Sequence, residues 1–145
     1  CEYLDSFNKT APVFPNDETR WQALRQMVTG DGIFDATTLI RIESWRPKET
    51  WHIDSMLREK KKILGAMRRL EEDAKGWTDD VFHIGHVTTA GGLSYLNLRN
   101  PIVDCALEDG DAEWDWQKDF PRLADWLAKI RERPSLAHKV DLPKP

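Results

Sequence analysis

Val87-Thr88-Thr89-Ala90-Gly91-Gly92-Leu93-Ser94-Tyr95-Leu96-Asn97-Leu98 is a dozen consecutive residues without a charge. The run is too short for a membrane span, which needs about 20 apolar residues, so it belongs to a protein core. Ala90, Gly91, Gly92 and Ser94 are small enough to let neighbouring helices approach closely. Glycine inside a helix costs about 1 kcal/mol against alanine, and close packing must offset that loss. The spacing predicts a helix over roughly His83–Arg99, surrounded on all sides.

The flanking sequence reads as more helix. After Arg99 an acidic, Trp-rich loop (Asp111–Asp119, with Trp114 and Trp116) leads into Phe120-Pro121-Arg122-Leu123-Ala124-Asp125-Trp126. Pro121 suits the first helical position, with Leu123, Trp126, Leu127 and Ile130 facing inward. Pro134 stops that helix and Ser135 can cap a short final turn. The tail Leu142-Pro143-Lys144-Pro145 has no reason to be ordered unless it packs on a partner.

Upstream, a helix is expected over about Thr50–Asp73, stopped by Gly76. Its buried face is Ile53, Met56, Leu57, Ile63, Leu64, Met67 and Leu70. Its other side carries Arg58, Lys60, Lys61, Lys62, Arg68 and Arg69, partly offset by Glu59, Glu71 and Glu72, and reads as solvated surface. An earlier helix is expected from Glu18 to about Ser44, capped by Asn16 or Asp17 and ended by Pro47. Its inward stripe is expected to be Trp21, Leu24, Val28, Leu39 and Ile42. Residues 6–16 read as a connector. No convincing strand appears. The fold class is all-α, a bundle of about five helices around the buried central one.

Bulk properties narrow the function. With 145 residues and 40% hydrophobic content, the chain can bury a core without disulfides or metal. A net charge of −4 argues against a nucleic-acid binder that neutralises phosphates. The opening residues show neither a basic n-region nor an apolar h-region. Two cysteines, Cys1 and Cys105, are expected as free thiols in a reducing compartment. There is no initiator Met, and Glu2-Tyr3-Leu4 reads as the last turn of a helix already under way, so the chain is expected to be a piece of something longer. Seven tryptophans are many for one domain, and large aromatics serve interfaces and ligand clefts as well as cores.

Three constellations could carry chemistry. Asp31 and Asp35 lie one helical turn apart on the otherwise apolar stripe, beside Gly30 and Gly32. Unpaired carboxylates do not stay in a core. Either this face opens onto a cleft that holds a ligand's cationic group, with Phe34 as apolar contact, or each acid caps or pairs with a neighbouring helix. His83 and His86 form the second set. No acidic or cysteine array at ligand spacing accompanies them, which weakens a metal reading; Phe82, His83 and His86 instead occupy the positions of a hydrophobic staple and a capping box, filled by unusual residues. Cys105, expected in a loop, has no evident activating base and reads as packed. No phosphate loop, nucleophile elbow or nucleotide fingerprint is present.

Phe82-His83-Ile84-Gly85-His86 leading into Ala90, Leu93 and Tyr95-Leu96-Asn97-Leu98-Arg99, then Phe120–Trp126 and Arg133-Pro134-Ser135, resembles the C-terminal helical domain of a cytosolic glutathione S-transferase. Gly32-Ile33-Phe34-Asp35-Ala36 and Glu43-Ser44-Trp45-Arg46-Pro47 are similar to the first long helix and its exit in bacterial and fungal members. Glu2-Tyr3-Leu4-Asp5 resembles the end of the preceding thioredoxin-like domain's last helix. On this resemblance residues 1–15 are that helix end and an interdomain linker, and residues 16–145 are the helical domain. One departure is clear: the family's capping box has Ser or Thr at His83 and Asp at His86.

The resemblance implies a transferase that joins glutathione to hydrophobic electrophiles in the cytoplasm, a detoxifying activity. The thioredoxin-like half binds glutathione and supplies the group that stabilises its thiolate, so no catalytic residue is expected in this chain. The helical half walls the electrophile site, for which Met27, Gly30, Asp31, Phe34 and Asp35 are the candidates. Glutathione acts as co-substrate with no metal, and a homodimer is implied, without nucleic-acid or membrane partners. The alternatives are a non-catalytic interaction module, as similar domains are in translation complexes, and a free-standing small-ligand binder.

Overall fold

The computed structural model describes residues 1–8 and 10–137, all of them in helices, turns or irregular backbone. The tail singled out above, Leu142–Pro145, lies outside these residues. In chain order the helices are α1 (Glu2–Asp5), α2 (Arg20–Glu43), α3 (Ile53–Asp73), α4 (Ile84–Leu98), α5 (Pro101–Cys105), α6 (Trp116–Asp119), α7 (Pro121–Ile130) and α8 (Pro134–Ala137). The fold is the expected all-α bundle, with α4 at its centre. No described helix is long and apolar enough to cross a membrane.

Packing follows side-chain size. α2 lies most extensively on α4, then on α3, and α7 closes the other side. The core joins Ile33, Ala36 and Ile40 of α2, Met56, Ile63, Met67 and Leu70 of α3, Leu93 and Leu96 of α4, and Leu123, Leu127 and Ile130 of α7. Trp116 and Phe120 seal it. Where α2 crosses α4 the backbones nearly touch. A Cβ on Gly92 would lie 2.6 Å from the Gly30 carbonyl oxygen, and one on Gly30 would lie 2.6 Å from the Thr89 nitrogen. α4 is buried over most of its circumference rather than all of it, since Gly91, Asn97 and Leu98 are exposed.

The expected inward stripe of α2 faces the wrong way. Trp21 is 76% exposed, Val28 64%, Leu39 52% and Ile42 48%. The buried side is Ala23, Gln26, Gly30, Ile33, Ala36, Thr37 and Ile40. The reason is steric: the close crossing with α4 selects the small Ala23, Gly30 and Ala36, Ile33 and Ile40 fill the core beside them, and Trp21, Val28, Leu39 and Ile42 are left on the opposite face. The helix also begins later than expected. Asp17 accepts from the Thr19 N–H and hydroxyl at 2.9 and 2.6 Å, and Thr19 precedes the first helical residue.

Three charges on α3 depart from the solvated reading: Lys60, Glu71 and Glu59, which is buried and holds the Lys62 ammonium at 2.7 Å. Lys60 is buried and paired with Glu108, at 2.6 Å, and with Asp111. Burial disfavours its charge, but the bonds to Asp111 and Glu108 outweigh that and hold the ammonium above its ordinary value. Glu71 reaches across to α7, whose N-cap Phe120 offers no side-chain acceptor. Its carboxylate accepts the Arg122 N–H at 3.1 Å and the Leu123 N–H at 2.9 Å. A helix start supplied with an anion by a neighbouring helix is stabilised by both hydrogen bond and dipole. Ile53, expected in the buried face of α3, is exposed at the helix start. Cys105, expected in a loop, ends α5 and is buried, and burial pushes its thiol up.

Candidate functional site

Along one side of the α2–α4 crossing the two helices diverge from their glycine contact and expose a mixed aromatic and acidic surface. Gly30 is buried beneath α4, Met27 is half-buried, and Asp31, Phe34 and Asp35 are exposed. Phe34 meets Tyr95 of α4, with ring centroids 4.4 Å apart and planes tilted by 36°. The pair spans the two helices and forms an apolar aromatic surface, partly open to solvent. Tyr95 was not among the expected site residues. Its signal was its place one turn beyond Gly91, on the helix read as wholly buried.

Both acids are exposed to solvent. Among the described residues neither Asp31 nor Asp35 forms an ion pair or accepts a side-chain hydrogen bond, so they do not pair with a neighbouring helix. Partial burial, and then repulsion from Asp35, raises the Asp31 carboxyl above its ordinary value. Such a carboxylate gains when a cation arrives, because the cation relieves both penalties.

A concavity of about 450 Å³ lies elsewhere, lined by Lys60, Leu64, Arg68, Asp111, Trp114, Asp119 and Phe120. Its chemistry is largely spent internally. Lys60 holds Asp111, and the Trp114 indole donates to Asp119 at 2.9 Å.

The histidines form the expected capping box at the start of α4. His83 Nδ1 accepts the Gly85 N–H at 3.2 Å, and His86 Nδ1 accepts the His83 N–H at 3.4 Å. With both Nδ1 atoms used as acceptors, each ring is neutral with its proton on Nε2. Burial first, then His83 and Arg133, pushes His86 down to about 3; burial lowers His83 too. Among the described residues no group of three or more His, Cys, Asp or Glu side chains is placed to hold a metal ion.

No family model matches this chain, and no curated protein does. Solved structures do. A glutathione transferase family member from Pseudomonas fluorescens Pf-5, with bound S-(propanoic acid)-glutathione, is 31% identical, with a TM-score of 0.79 over 93% of this chain and 64% of its own. A glutathione S-transferase from Methylobacillus flagellatus KT, with glutathione bound, is 25% identical, with a TM-score of 0.78 over 94% of this chain and 64% of its own. One from Methylobacterium radiotolerans JCM 2831, in complex with glutathione sulfonate, is 25% identical, with a TM-score of 0.77 over 99% of this chain and 66% of its own. The chain thus spans under two thirds of the length of the transferases it matches.

Proposed function

Starting from a chain that is a glutathione-transferase C-terminal-like helical domain, we propose that it forms the electrophile-side wall of an enzyme that conjugates glutathione to electrophilic small molecules. The observation that carries this reading is the Phe34–Tyr95 contact between α2 and α4, with Met27 and the two unpaired acids beside it. The neighbours' bound glutathione derivatives support the same reading. A thioredoxin-like domain would bind glutathione and supply the group that stabilises its thiolate. That domain, and a second copy of the chain in a homodimer, would cover the exposed Trp21–Ile42 stripe. The setting would be cytoplasmic and the role detoxifying.

The chemistry is thiolate attack on an electrophilic carbon. Catalysis would come from a lowered thiol pKa and from holding the acceptor beside the sulfur, a proximity effect worth several kcal/mol when the two are aligned. This chain's share is the second part. The Phe34 and Tyr95 rings bury the apolar face of the acceptor, and Gly30 lets α4 approach closely enough for Tyr95 to reach Phe34. Asp31 and Asp35 would hold a cationic group, for which the α-amino group of glutathione is the available candidate.

Full-length protein retained on glutathione resin and turning over an aryl halide with glutathione would establish the activity. Phe34→Ala and Tyr95→Ala should each raise KM for the aryl acceptor severalfold while leaving KM for glutathione within twofold. Asp31→Asn with Asp35→Asn should do the converse. Unchanged kinetics in all three variants would remove this surface from the reaction.

A further inference from the structure

The start of α4 is closed by two histidines stacked on each other. Their ring centroids are 3.9 Å apart and their planes 14° from parallel. Both residues are buried, His86 almost completely. Each contributes one acceptor to the N-terminal turn, through Nδ1. The His86 Nε2 has no hydrogen-bond partner among the described residues. Its ring lies among aromatic ones: Trp77 edge-on at 4.9 Å, Trp126 at 5.7 Å and Phe82 at 6.4 Å.

We propose that the His83–His86 cap is an acid-released latch: a proton on either ring withdraws the acceptor that closes the first turn of α4 and frees the segment 77–86 from the bundle. An imidazolium has N–H donors at both nitrogens and accepts nothing. A proton on His83 therefore orphans the Gly85 N–H, and one on His86 orphans the His83 N–H. The new charge also lies at the positive end of the helix dipole.

Among the described residues no carboxylate acts on His86 to compensate, and the buried, unpaired Gln26 Oε1 is neutral. From α2 the group facing this turn is the neutral Gln26, whose Cβ blocks any side chain at Gly85. From α7 it is Trp126, from the segment before α4 Trp77 and Phe82, and from the start of α8 Arg133. The charged groups acting on His86 are His83 and Arg133, both cationic or able to become so. The Arg133 guanidinium lies 4.1 Å from the centre of the Phe82 ring, which ties α8 to the same segment. The connector is tied in as well, because Val13 accepts the Ile84 N–H at 2.8 Å. Release of the turn therefore loosens the connector, the 77–83 segment and α8 together.

Hydrogen exchange measured by mass spectrometry on the full-length protein tests this, at pH 7.4 and pH 5.5, after correction for intrinsic rates. Each histidine that ionises only in the open form, with an ordinary value near 6.5, raises the open population about tenfold over that interval, and the two together raise it up to about a hundredfold. Peptides covering 77–90 should lose about that much protection, while those from the middle of α3 should not. In a His83→Ser, His86→Asp double variant, the loss should shrink to under twofold. Unchanged protection in the natural protein, or an equal loss in the variant, would overturn the latch. An NMR titration of the natural protein decides the matter even if the variant does not fold. The two rings should take up protons only as the Gly85 and His83 amides lose protection. Either ring protonating near pH 6.5 while those amides stay protected would refute the proposal.

Discussion

Gly92→Ala probes the architecture most directly, because its neighbour Gly91→Ala serves as an internal control. Both substitutions place a methyl on the same turn of α4 and gain the same helix propensity, about 1 kcal/mol. At Gly91 the methyl meets nothing within 4 Å. At Gly92 it would lie 2.6 Å from the Gly30 carbonyl oxygen and 3.3 Å from Ile33 Cβ. The obstructing oxygen is backbone in the middle of α2 and cannot swing aside, so the helices must separate by several tenths of an ångström along their most extensive contact. Overpacking of this kind costs about 1–3 kcal/mol. Gly91→Ala should therefore stabilise by up to about 1 kcal/mol, and Gly92→Ala should destabilise by up to about 2 kcal/mol after the propensity gain. The propensity gain cancels between the two, so at about 4 °C per kcal/mol for a chain of this size the melting temperatures should differ by about 4–12 °C. Thermal and urea unfolding followed by far-UV circular dichroism measure that gap. A Gly92→Ala protein as stable as Gly91→Ala would refute the close crossing, and with it the placement of Tyr95 beside Phe34.

Glu71→Ala should cost about 1–3 kcal/mol, because it removes the acceptor for the Arg122 and Leu123 N–H groups at a helix start that has no cap of its own; a loss under 0.5 kcal/mol in urea titrations would contradict that role. Stability should also fall below neutral pH. The unfolded chain protonates His86 at about 6.5, whereas the folded chain, through burial and then its cationic neighbours, holds it neutral to about 3. Above about 6.5 the histidine leaves stability independent of pH. Below that value the unfolded state binds the extra proton, so about 2 kcal/mol is lost by pH 5. Urea midpoints across pH 7.5–5 should show this slope in the natural chain and a flatter one in His86→Asp; equal slopes would show that other groups carry it.

Several parts of this design are legible in the residues alone, each for a physical reason. A charge-free run with glycines at its centre has nowhere to go but the inside of a bundle, and α4 lies there. Pro121 and Pro134 can occupy few helical positions, and α7 and α8 begin at them. The paired histidines occupy capping positions, and the hydrogen bonds are in place. α2 was misread because the stripe rule weighs residues by size and apolarity, whereas a helix crossing at glycine selects small ones: Ala23, Gly30 and Ala36 lie inside while Trp21 and Val28 lie outside. Lys60 looked like one member of a solvated run, since nothing local announces that Glu108 and Asp111, far along the chain, fold over it. Tyr95 was hidden by the assumption that α4 is covered all round. Long-range pairing and the open edge of a central helix are properties of the assembled bundle, so periodicity on one helix does not contain them.

Asp31 and Asp35 give the outer face of α2 a further meaning. A helix apolar on both sides is ordinarily buried on both. Here the larger apolar residues remain open, and the two acids interrupt them midway. A contiguous apolar face invites non-specific association, and two like charges placed within it oppose any cover that brings no cation, since burying them unpaired is expensive. Asp31→Leu with Asp35→Leu should therefore turn the face self-adhesive. Sedimentation velocity on this chain would then show concentration-dependent association in the variant at loadings where the natural chain sediments more slowly. Identical sedimentation would mean that the carboxylates do not guard the face. If they do, whatever covers α2 in the assembled protein must bring its own positive charge to Asp31 and Asp35, which confines the cover to surfaces or ligands carrying an ammonium or guanidinium at that height.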